Sequence, residues 1–406
     1  MTNRDESKEN MSVSKTMLMP KEEMLEIQNK GQKMKIGIPS DLSKVEYRVP
    51  LTPQAVDLLT SYGHEIYIEA GAGKLARYSD GDYREAGAVI VEKKEEVFQC
   101  DIILRVAPFA SDEMELLRGN QTIISSMQIQ AHCKESISKL MQKRLTTIAF
   151  ENIENEKGFA PILHQMSQIA GVTSITIASE YLSNAHNGKG VLFGEVTGIT
   201  PAELVIIGTS TAAEYAARAA LGLGILVRVF DTSVYDLSQL VEKLGGKIFT
   251  SVFYPKVLRK ALFSADAVIG AMQFNATPKF RVSEDLVKKM KEGSVIIDLN
   301  ASQGGCFETT RCTDFNDPTY VKHGVVHYCV PNIQSIVART ASISLSNILM
   351  PILLAIGDSG GVDNYIKIAK GFRKGVYIYH GILTNQDVGN LFNISAKDID
   401  LLLAVL

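Results

Sequence analysis

The sequence predicts an α/β protein built of two doubly wound, Rossmann-like domains with a cleft between them, the first domain discontinuous. Three observations carry this expectation. From Met34 onward, short β-type apolar runs alternate with helical patterns. A second such series opens after the Gly-rich stretch "NGKGVLFGEVTG", and beyond Ala338 the pattern turns helical again, over Ala338–Gly357 and Tyr365–Gly371. Strands separated by helix-length connections pair in parallel, because a parallel neighbour can be reached only by a crossover.

In the first series the runs "KIGIP", "EIYIEAG", "AVIVE", "DIILRVA", "QTIISSM" and "LTTIAF" read as strands, and "TPQAVDLLTSYG" reads as a helix between the first two. A long helical stretch follows, roughly Pro161 to Asn187, with Gly171 its only break signal. The second series runs through "AELVIIG", "ILVRVFD", "KIFTSV", "ADAVIGAM", "GSVIIDLN" and "VVHYCV". The expected division is a polar leader over 1–33 with one short helix near Pro20–Asn29, a first domain over 34–160 plus 339–406, and a second over 161–338. The first domain would be completed by the C-terminal helices.

The bulk numbers agree. A chain of 406 residues is long for a single core. Its 46% hydrophobic and 21% charged content excludes wholesale disorder, and a formal charge of −3 gives no reason to expect nucleic acid or an anionic membrane as partner. Apolar segments such as Ile343–Ile356 are interrupted by Ser and Asn and read as too short to span a bilayer. The N-terminus, "MTNRDESKEN", is polar and lacks the apolar run of a secretory signal. The five cysteines (Cys100, Cys133, Cys306, Cys312, Cys329) have no metal spacing, so buried thiols in a reducing cytoplasm, and no metal, are expected.

Four stretches carry chemistry. In "VIIGTSTAAEYAARAALGLGILVRVFD" the order is strand, tight turn, helix, strand, acid. The G-x-G-x-x-G of a dinucleotide-binding turn is filled here as Gly208, Ser210 and Ala213. Gly208 makes the tight turn and Ala213 allows close helix packing. Ser210 places a side chain where a pyrophosphate should approach. Asp231 sits where an acid accepts from both ribose hydroxyls and repels a 2′-phosphate, which favours NAD over NADP. On this motif alone, an α/β domain that keeps the fold without the ligand stands level with a nucleotide-binding one.

In "YRVPLTP", Arg48 precedes a helix start with Thr52 as N-cap and Pro53 at the first position, and its guanidinium fork suits a carboxylate. "DLNASQGGCFETT" puts a flexible turn at the carboxyl end of a strand, where open α/β sheets bind ligands. "HGVVHYCVPN" joins a strand to Pro331, Asn332 and a helix, with His327 reading as a satisfied core histidine.

Together, in this order and spacing, these stretches resemble the alanine dehydrogenase and pyridine nucleotide transhydrogenase family, and within it the alanine dehydrogenases. The shared segments are "GIPSD", "EYRVPLTP", "GAGKLARYSDGDYREAGA", "MSQIAG", the Gly208 turn, "GSVIID", "QGGCFET" and "HGVVHYCVPN". The resemblance implies a substrate domain, an NAD domain, a cleft between them, homo-oligomers and a small amino acid or 2-oxo acid as substrate. It implies Arg48 on the substrate carboxylate, and Ser167 and Asn332 beside Gly208, Ser210, Ala213 and Asp231 on the cofactor.

The family's catalytic Lys, His and Asp correspond here to Arg105, Gln128 and Ser302. Gln cannot accept a proton and Arg stays charged, so the acid/base machinery of oxidative deamination is missing at those positions. His132 lies four residues past Gln128, which in a strand is about 13 Å further on; it replaces the base only if the chain turns back. The leading expectation is an NAD-dependent oxidoreductase of the alanine dehydrogenase type, converting L-alanine, NAD and water to pyruvate, ammonium and NADH, in weakened or re-purposed form. The alternative is a non-enzymatic NAD- or carboxylate-binding member acting as a sensor or a structural oligomer. A third reading is the NAD-binding part of a transhydrogenase.

Overall fold

The computed structural model describes residues 31–41, 46–110, 112–128, 132–273 and 280–405; the short helix expected near Pro20–Asn29 lies outside them. The first series folds into β1 (Lys35–Ile38), β2 (Glu65–Glu69), β3 (Val89–Val91), β4 (Ile102–Leu104), β5 (Thr122–Ser125) and β6 (Thr146–Ala149). The second gives β7 (Glu203–Ile207), β8 (Leu226–Asp231), β9 (Phe249–Val252), β10 (Ala267–Gly270), β11 (Val295–Asp298), β12 (Thr319–Lys322) and β13 (Val325–Tyr328). Near the C-terminus come β14 (Val376–Tyr379) and β15 (Ile382–Leu383).

These form two sheets, ordered β15-β14-β6-β5-β4-β1-β2-β3 and β12-β13-β11-β10-β7-β8-β9. Each contains the same parallel doubly wound set, three strands running one way from the first and the rest the other way, so strand order reverses between β1 and β4 and between β7 and β10. The fold is α/β with two Rossmann-like sheets. Such reversal points open a crevice at the carboxyl ends of the strands. Both faces of a parallel sheet are covered by helices, and the inner strands are accordingly apolar throughout: β4 and β10 are buried at every residue.

The C-terminal region departs from the all-helical expectation. In "VYIYHGIL" the strands β14 and β15 form a hairpin, β14 running antiparallel to β6 at the edge of the first sheet. The turn residues His380 and Gly381 both have positive φ, 47° and 81°, the geometry that a two-residue hairpin with right-twisted strands requires. Alternating aromatic and β-branched residues before His-Gly were the available signal.

Three helices position the site: α1 (Pro161–Leu182), α2 (Thr211–Gly222) and α3 (Ala338–Asp358). Gly171, the break signal inside α1, is the point where α1 meets α2. A Cβ there would lie 2.3 Å from the Ala212 carbonyl oxygen, so only glycine allows this approach. The apolar run around Ile343–Ile356 belongs to a longer helical segment, Ile333–Asp358, which is long and apolar enough by composition to cross a membrane, contrary to the reading as too short. Its face carrying Ala341, Leu345, Leu349, Leu353 and Ile356 packs into the core of the first domain. The interrupting serines are structural: Ser342 and Ser346 accept hydrogen bonds from the Val49 and Thr52 amides at 2.9 and 3.0 Å, docking the Arg48 loop onto α3. Thr52 begins its helix without a side-chain cap, its hydroxyl meeting Ser346 Oγ at 3.1 Å instead.

All five cysteines are free; Cys100, Cys306 and Cys329 are buried, whereas Cys133 and Cys312 are exposed, against the expectation of buried thiols throughout. They lie outside the strands, Cys133 immediately before a surface helix and Cys312 in a loop.

Candidate active site

The crevice of the first sheet is lined by charge. Arg48, in the loop after β1, donates from Nε to Glu46 Oε1 at 2.7 Å and from a terminal nitrogen to Glu46 Oε2 at 2.5 Å. The side-on fork expected to grip a ligand is therefore filled by Glu46, two residues away. The end-on edge of the guanidinium remains, with its other terminal nitrogen 3.4 Å from Met166 Sδ on α1. Ser335 donates to the same Glu46 carboxylate at 2.8 Å, so the arginine is braced from the segment preceding α3.

Arg105, at the end of β4, is a pinned cation. It donates to Glu113 at 2.6 Å and to Asp41 at 3.0 Å, and its guanidinium lies 4.7 Å from the Phe109 ring centre. Burial pushes the Glu113 carboxyl up, but the Arg105 charge and hydrogen bonds from Lys94 and Ala110 outweigh it and hold the group below the ordinary carboxylate range. Asp41, Glu46 and Glu113 escaped the sequence reading. Glu46 was findable as the acid adjacent to Arg48; Asp41 and Glu113 are brought to Arg105 only by the fold.

Gln128 follows β5 with φ +37°, in the left-handed region. The chain has left the strand by then, so the 13 Å separation expected for His132 does not apply. The His132 ring lies against the Met127 backbone and 3.4 Å from Ser136 Oγ. Glu151, in the 3-10 turn after β6, accepts from the Met127 amide at 2.7 Å and the Ser126 hydroxyl at 3.2 Å.

The crevice of the second sheet is lined by backbone. Gly208 has φ +111°, and a Cβ there would lie 2.3 Å from the Ala271 oxygen and 2.5 Å from Met272 Cα. Ser210 does not project across the phosphate path as expected. Its hydroxyl donates to the Ala271 carbonyl at 2.7 Å and accepts from the Ala213 amide at 3.4 Å, capping α2 and stitching β7 to β10. Ala213 is fully buried where α2 packs on its sheet. Asp231 ends β8; one carboxylate oxygen accepts from Thr209 Oγ1 at 2.8 Å and the other from the Ser233 amide at 3.1 Å.

Ser167 is half-buried on α1, next to Met166. Ser302 is exposed in the 3-10 turn Ala301–Gln303, beyond β11. That turn is anchored by Asp298, which accepts from the Asn300 and Cys306 amides and the Thr310 hydroxyl; burial pushes its carboxyl up. Asn332 has φ +55° and starts the short helix carrying Ser335. His327 is a core histidine: its ring nitrogens lie 2.9 Å from Thr309 Oγ1 and 3.0 Å from the Val325 carbonyl, and burial pushes it down to about 4.

The two crevices meet along α1. Met166 touches Arg48, and Gly171, five residues on, seats against Ala212 in the first turn of α2. That is about 7.5 Å along the helix axis. A dinucleotide fits the second crevice on observations independent of any ligand. Glycine alone tolerates the approach at Gly208, and the first-turn amides of α2 at Thr211 and Ala212 have no intrahelical acceptor, so they suit a phosphate.

Two family models match the chain: the N-terminal domain of alanine dehydrogenase/PNT over residues 37–170 and the C-terminal domain of alanine dehydrogenase/PNT over residues 174–386. Among curated relatives, alanine dehydrogenase of Mycolicibacterium smegmatis is 36% identical over 371 residues, covering 91% of this chain and 97% of that protein. Alanine dehydrogenase of Staphylococcus epidermidis is 34% identical over 369 residues, covering 90% and 99%. A solved L-alanine dehydrogenase superposes with a TM-score of 0.82 at 33% identity, covering 89% of this chain and 99% of its own. A transhydrogenase from Sinorhizobium meliloti shares the fold at a TM-score of 0.71 and 22% identity, covering 87% and 99%.

Proposed function

The chain belongs to the alanine dehydrogenase/PNT family of NAD-dependent oxidoreductases, and on that premise we propose that it oxidises a small amino acid, L-alanine or a near relative, or runs the reverse reductive amination. The balanced reaction takes L-alanine, NAD⁺ and water to pyruvate, ammonium, NADH and a proton. The observation that carries this reading is the pair of strand-end sites linked through α1: a braced arginine that touches Met166 in one, and in the other a glycine turn and open helix N-terminus on α2, which seats against Gly171 five residues further along α1.

NAD(H) is the cofactor of this family, and bound here it would supply the hydride acceptor. Gly208, the amides of Thr211 and Ala212, Asp231, Ser167 and Asn332 would hold it, Asp231 favouring an unphosphorylated ribose over a 2′-phosphate. The end-on edge of Arg48 takes the substrate carboxylate. Glu46 fixes the guanidinium plane and offsets its charge, so orientation of the substrate, more than raw attraction, is what this arginine provides. Arg105, held by two carboxylates, keeps its charge and moves no proton. The Gln128 amide can donate or accept a hydrogen bond but cannot take a proton. Ser302 offers a hydroxyl from an exposed turn. Turnover is therefore expected below the ordinary enzyme range of ~1–10³ s⁻¹. Five free cysteines suit a reducing cytoplasm, and a homo-oligomer goes with the family membership.

Fluorescence titration with NADH, followed by steady-state assays with L-alanine and NAD and with pyruvate, ammonium and NADH, tests the reading. NADH binding tighter than NADPH, with a slow but saturable rate, is the expected result. The fixed charge of Arg105 and the amide of Gln128 favour one other reading, a member that binds cofactor and carboxylate without turnover; binding with no measurable rate selects it. No binding at millimolar NADH would overturn both.

A further inference from the structure

The turn between β7 and α2 holds a residue that the glycine pattern leaves unspecified. Thr209 stands between Gly208 and Ser210, where a dinucleotide-binding turn accepts any side chain. Here its hydroxyl donates to Asp231 Oδ2 at 2.8 Å. The turn lies directly against the end of β8, since the Gly208 amide donates to the Phe230 carbonyl at 2.7 Å. The other carboxylate oxygen, Oδ1, accepts from the Ser233 amide at 3.1 Å and the Thr232 hydroxyl at 3.3 Å. A carboxylate offers about four acceptor positions, two on each oxygen. With these three donors of the chain itself in place, one position remains, and it is on Oδ2.

The side from which each donor comes matters as much as the count. Thr232 and Ser233 reach Asp231 from the loop that follows it. Thr209 reaches it from the glycine turn, the side on which a pyrophosphate approaches such a turn. The adenosine ribose of a dinucleotide is joined to that pyrophosphate, so its hydroxyls come to Asp231 from the Thr209 side.

We infer that Thr209 sets how tightly this chain holds NAD(H): its hydroxyl competes with the adenosine ribose for Asp231 Oδ2, and the carboxylate takes one ribose hydroxyl where an uncontested acid takes two. This rests on the NAD(H) reading of the second crevice above. Thr209 acts as a stand-in for the ribose. In the free chain it satisfies a buried carboxylate that would otherwise lack a partner on that oxygen. A ribose hydroxyl arriving at the same position exchanges one hydrogen bond for another, so the net gain there is small. The position on Oδ2 that no residue fills still gains a full hydrogen bond to a charged group.

Fluorescence titration of the full chain tests this, with NADH and with an NADH analogue that lacks both hydroxyls on the adenosine ribose; no turnover is needed. In the native chain, loss of both hydroxyls should weaken binding by about tenfold, the worth of one hydrogen bond to a charged group. Thr209→Ala should tighten NADH by about tenfold and leave the dideoxy analogue within about twofold of its native affinity. Thr209→Ser, which keeps the hydroxyl and drops the methyl group, should bind both molecules like the native chain. The assignment is overturned if Thr209→Ala weakens NADH, or tightens NADH and the analogue alike. It also falls if Thr209→Ser gains as much as Thr209→Ala, because the gain then comes from space. A loss of about a hundredfold or more for the analogue in the native chain means that both hydroxyls are accepted, which overturns the assignment without any variant. In each of these cases NADH still binds and the cofactor reading stands. If neither the native chain nor Thr209→Ala binds NADH at millimolar concentration, the cofactor reading falls and takes this assignment with it.

Discussion

The two sheets share one parallel strand order but line their crevices differently. The first sheet's crevice carries two paired arginines, Arg48 with Glu46 and Arg105 with both Asp41 and Glu113, while burial pushes His132 and Glu151 at the same edge toward their neutral forms. In the second, two buried titratable groups are pushed toward their neutral forms. His327 is shifted down and Asp298 up, while the crevice itself is lined by glycine, serine and backbone. The difference teaches that topology sets where a ligand binds, and loop chemistry sets which ligand. A carboxylate needs a fixed cation, whereas a pyrophosphate needs close backbone approach and amides.

Removing one partner of a buried pair leaves the other charge uncompensated. Glu46→Gln should therefore lower stability by about 3–5 kcal/mol, measured as the loss in urea unfolding free energy, and Glu113→Gln by less, since Asp41 still meets Arg105. A loss below about 1 kcal/mol would mean that these pairs behave like surface pairs, and the contrast between the sheets would fail.

The matching change in the second crevice is Gly208→Ala. Its Cβ meets backbone atoms and its φ is positive, so strain and overpacking together should cost about 3–4 kcal/mol. Thermal unfolding reads this, and NADH affinity should fall with it. An alanine that leaves both unchanged would show that the turn has room the geometry denies.

His327 sharpens the contrast through pH. Its folded value, about 4, is below the unfolded 6.5, so the native state binds fewer protons within that window. The stability it contributes is present above pH 6.5 and is lost as pH falls toward 4, on the order of 3 kcal/mol in all. His327→Gln should flatten this acid limb in unfolding experiments at pH 4.5 and 7. An unchanged slope would assign the acid sensitivity to other groups.

The smallest effect concerns Ser210. With its hydroxyl capping α2, Ser210→Ala should cost about 1 kcal/mol and Ser210→Gly only a few tenths, read by thermal unfolding. If Ser210→Gly loosens NADH as well, the hydroxyl contributes to phosphate binding as well as to the cap.

Periodicity and punctuation were enough to find both strand series, the long helix after Pro161, the glycine turn at Gly208 and the acid at Asp231, because each is set by local backbone preference and a short repeat. The histidine in "VVHYCV" was also readable as core, since an apolar strand buried on both faces leaves a lone polar side chain to be satisfied internally. The hairpin "VYIYHGIL" was missed although its turn residues were visible, because isolated short strands gain stability only from the sheet edge they join.

What no local pattern contained was which side chains would meet. The Glu46 fork on Arg48, the clasp of Arg105 by Asp41 and Glu113, the Ser210 bond to Ala271 and the convergence of His132 and Glu151 on Met127 join segments from neighbouring loops to different strand ends. Those contacts are decided when parallel crossovers bring distant strand ends to one edge. The amino-acid sequence determined where the edges lie and which residues arrive there. The packing decided which partners those residues have, because pairing energies of buried charges and hydrogen bonds act only across ångströms.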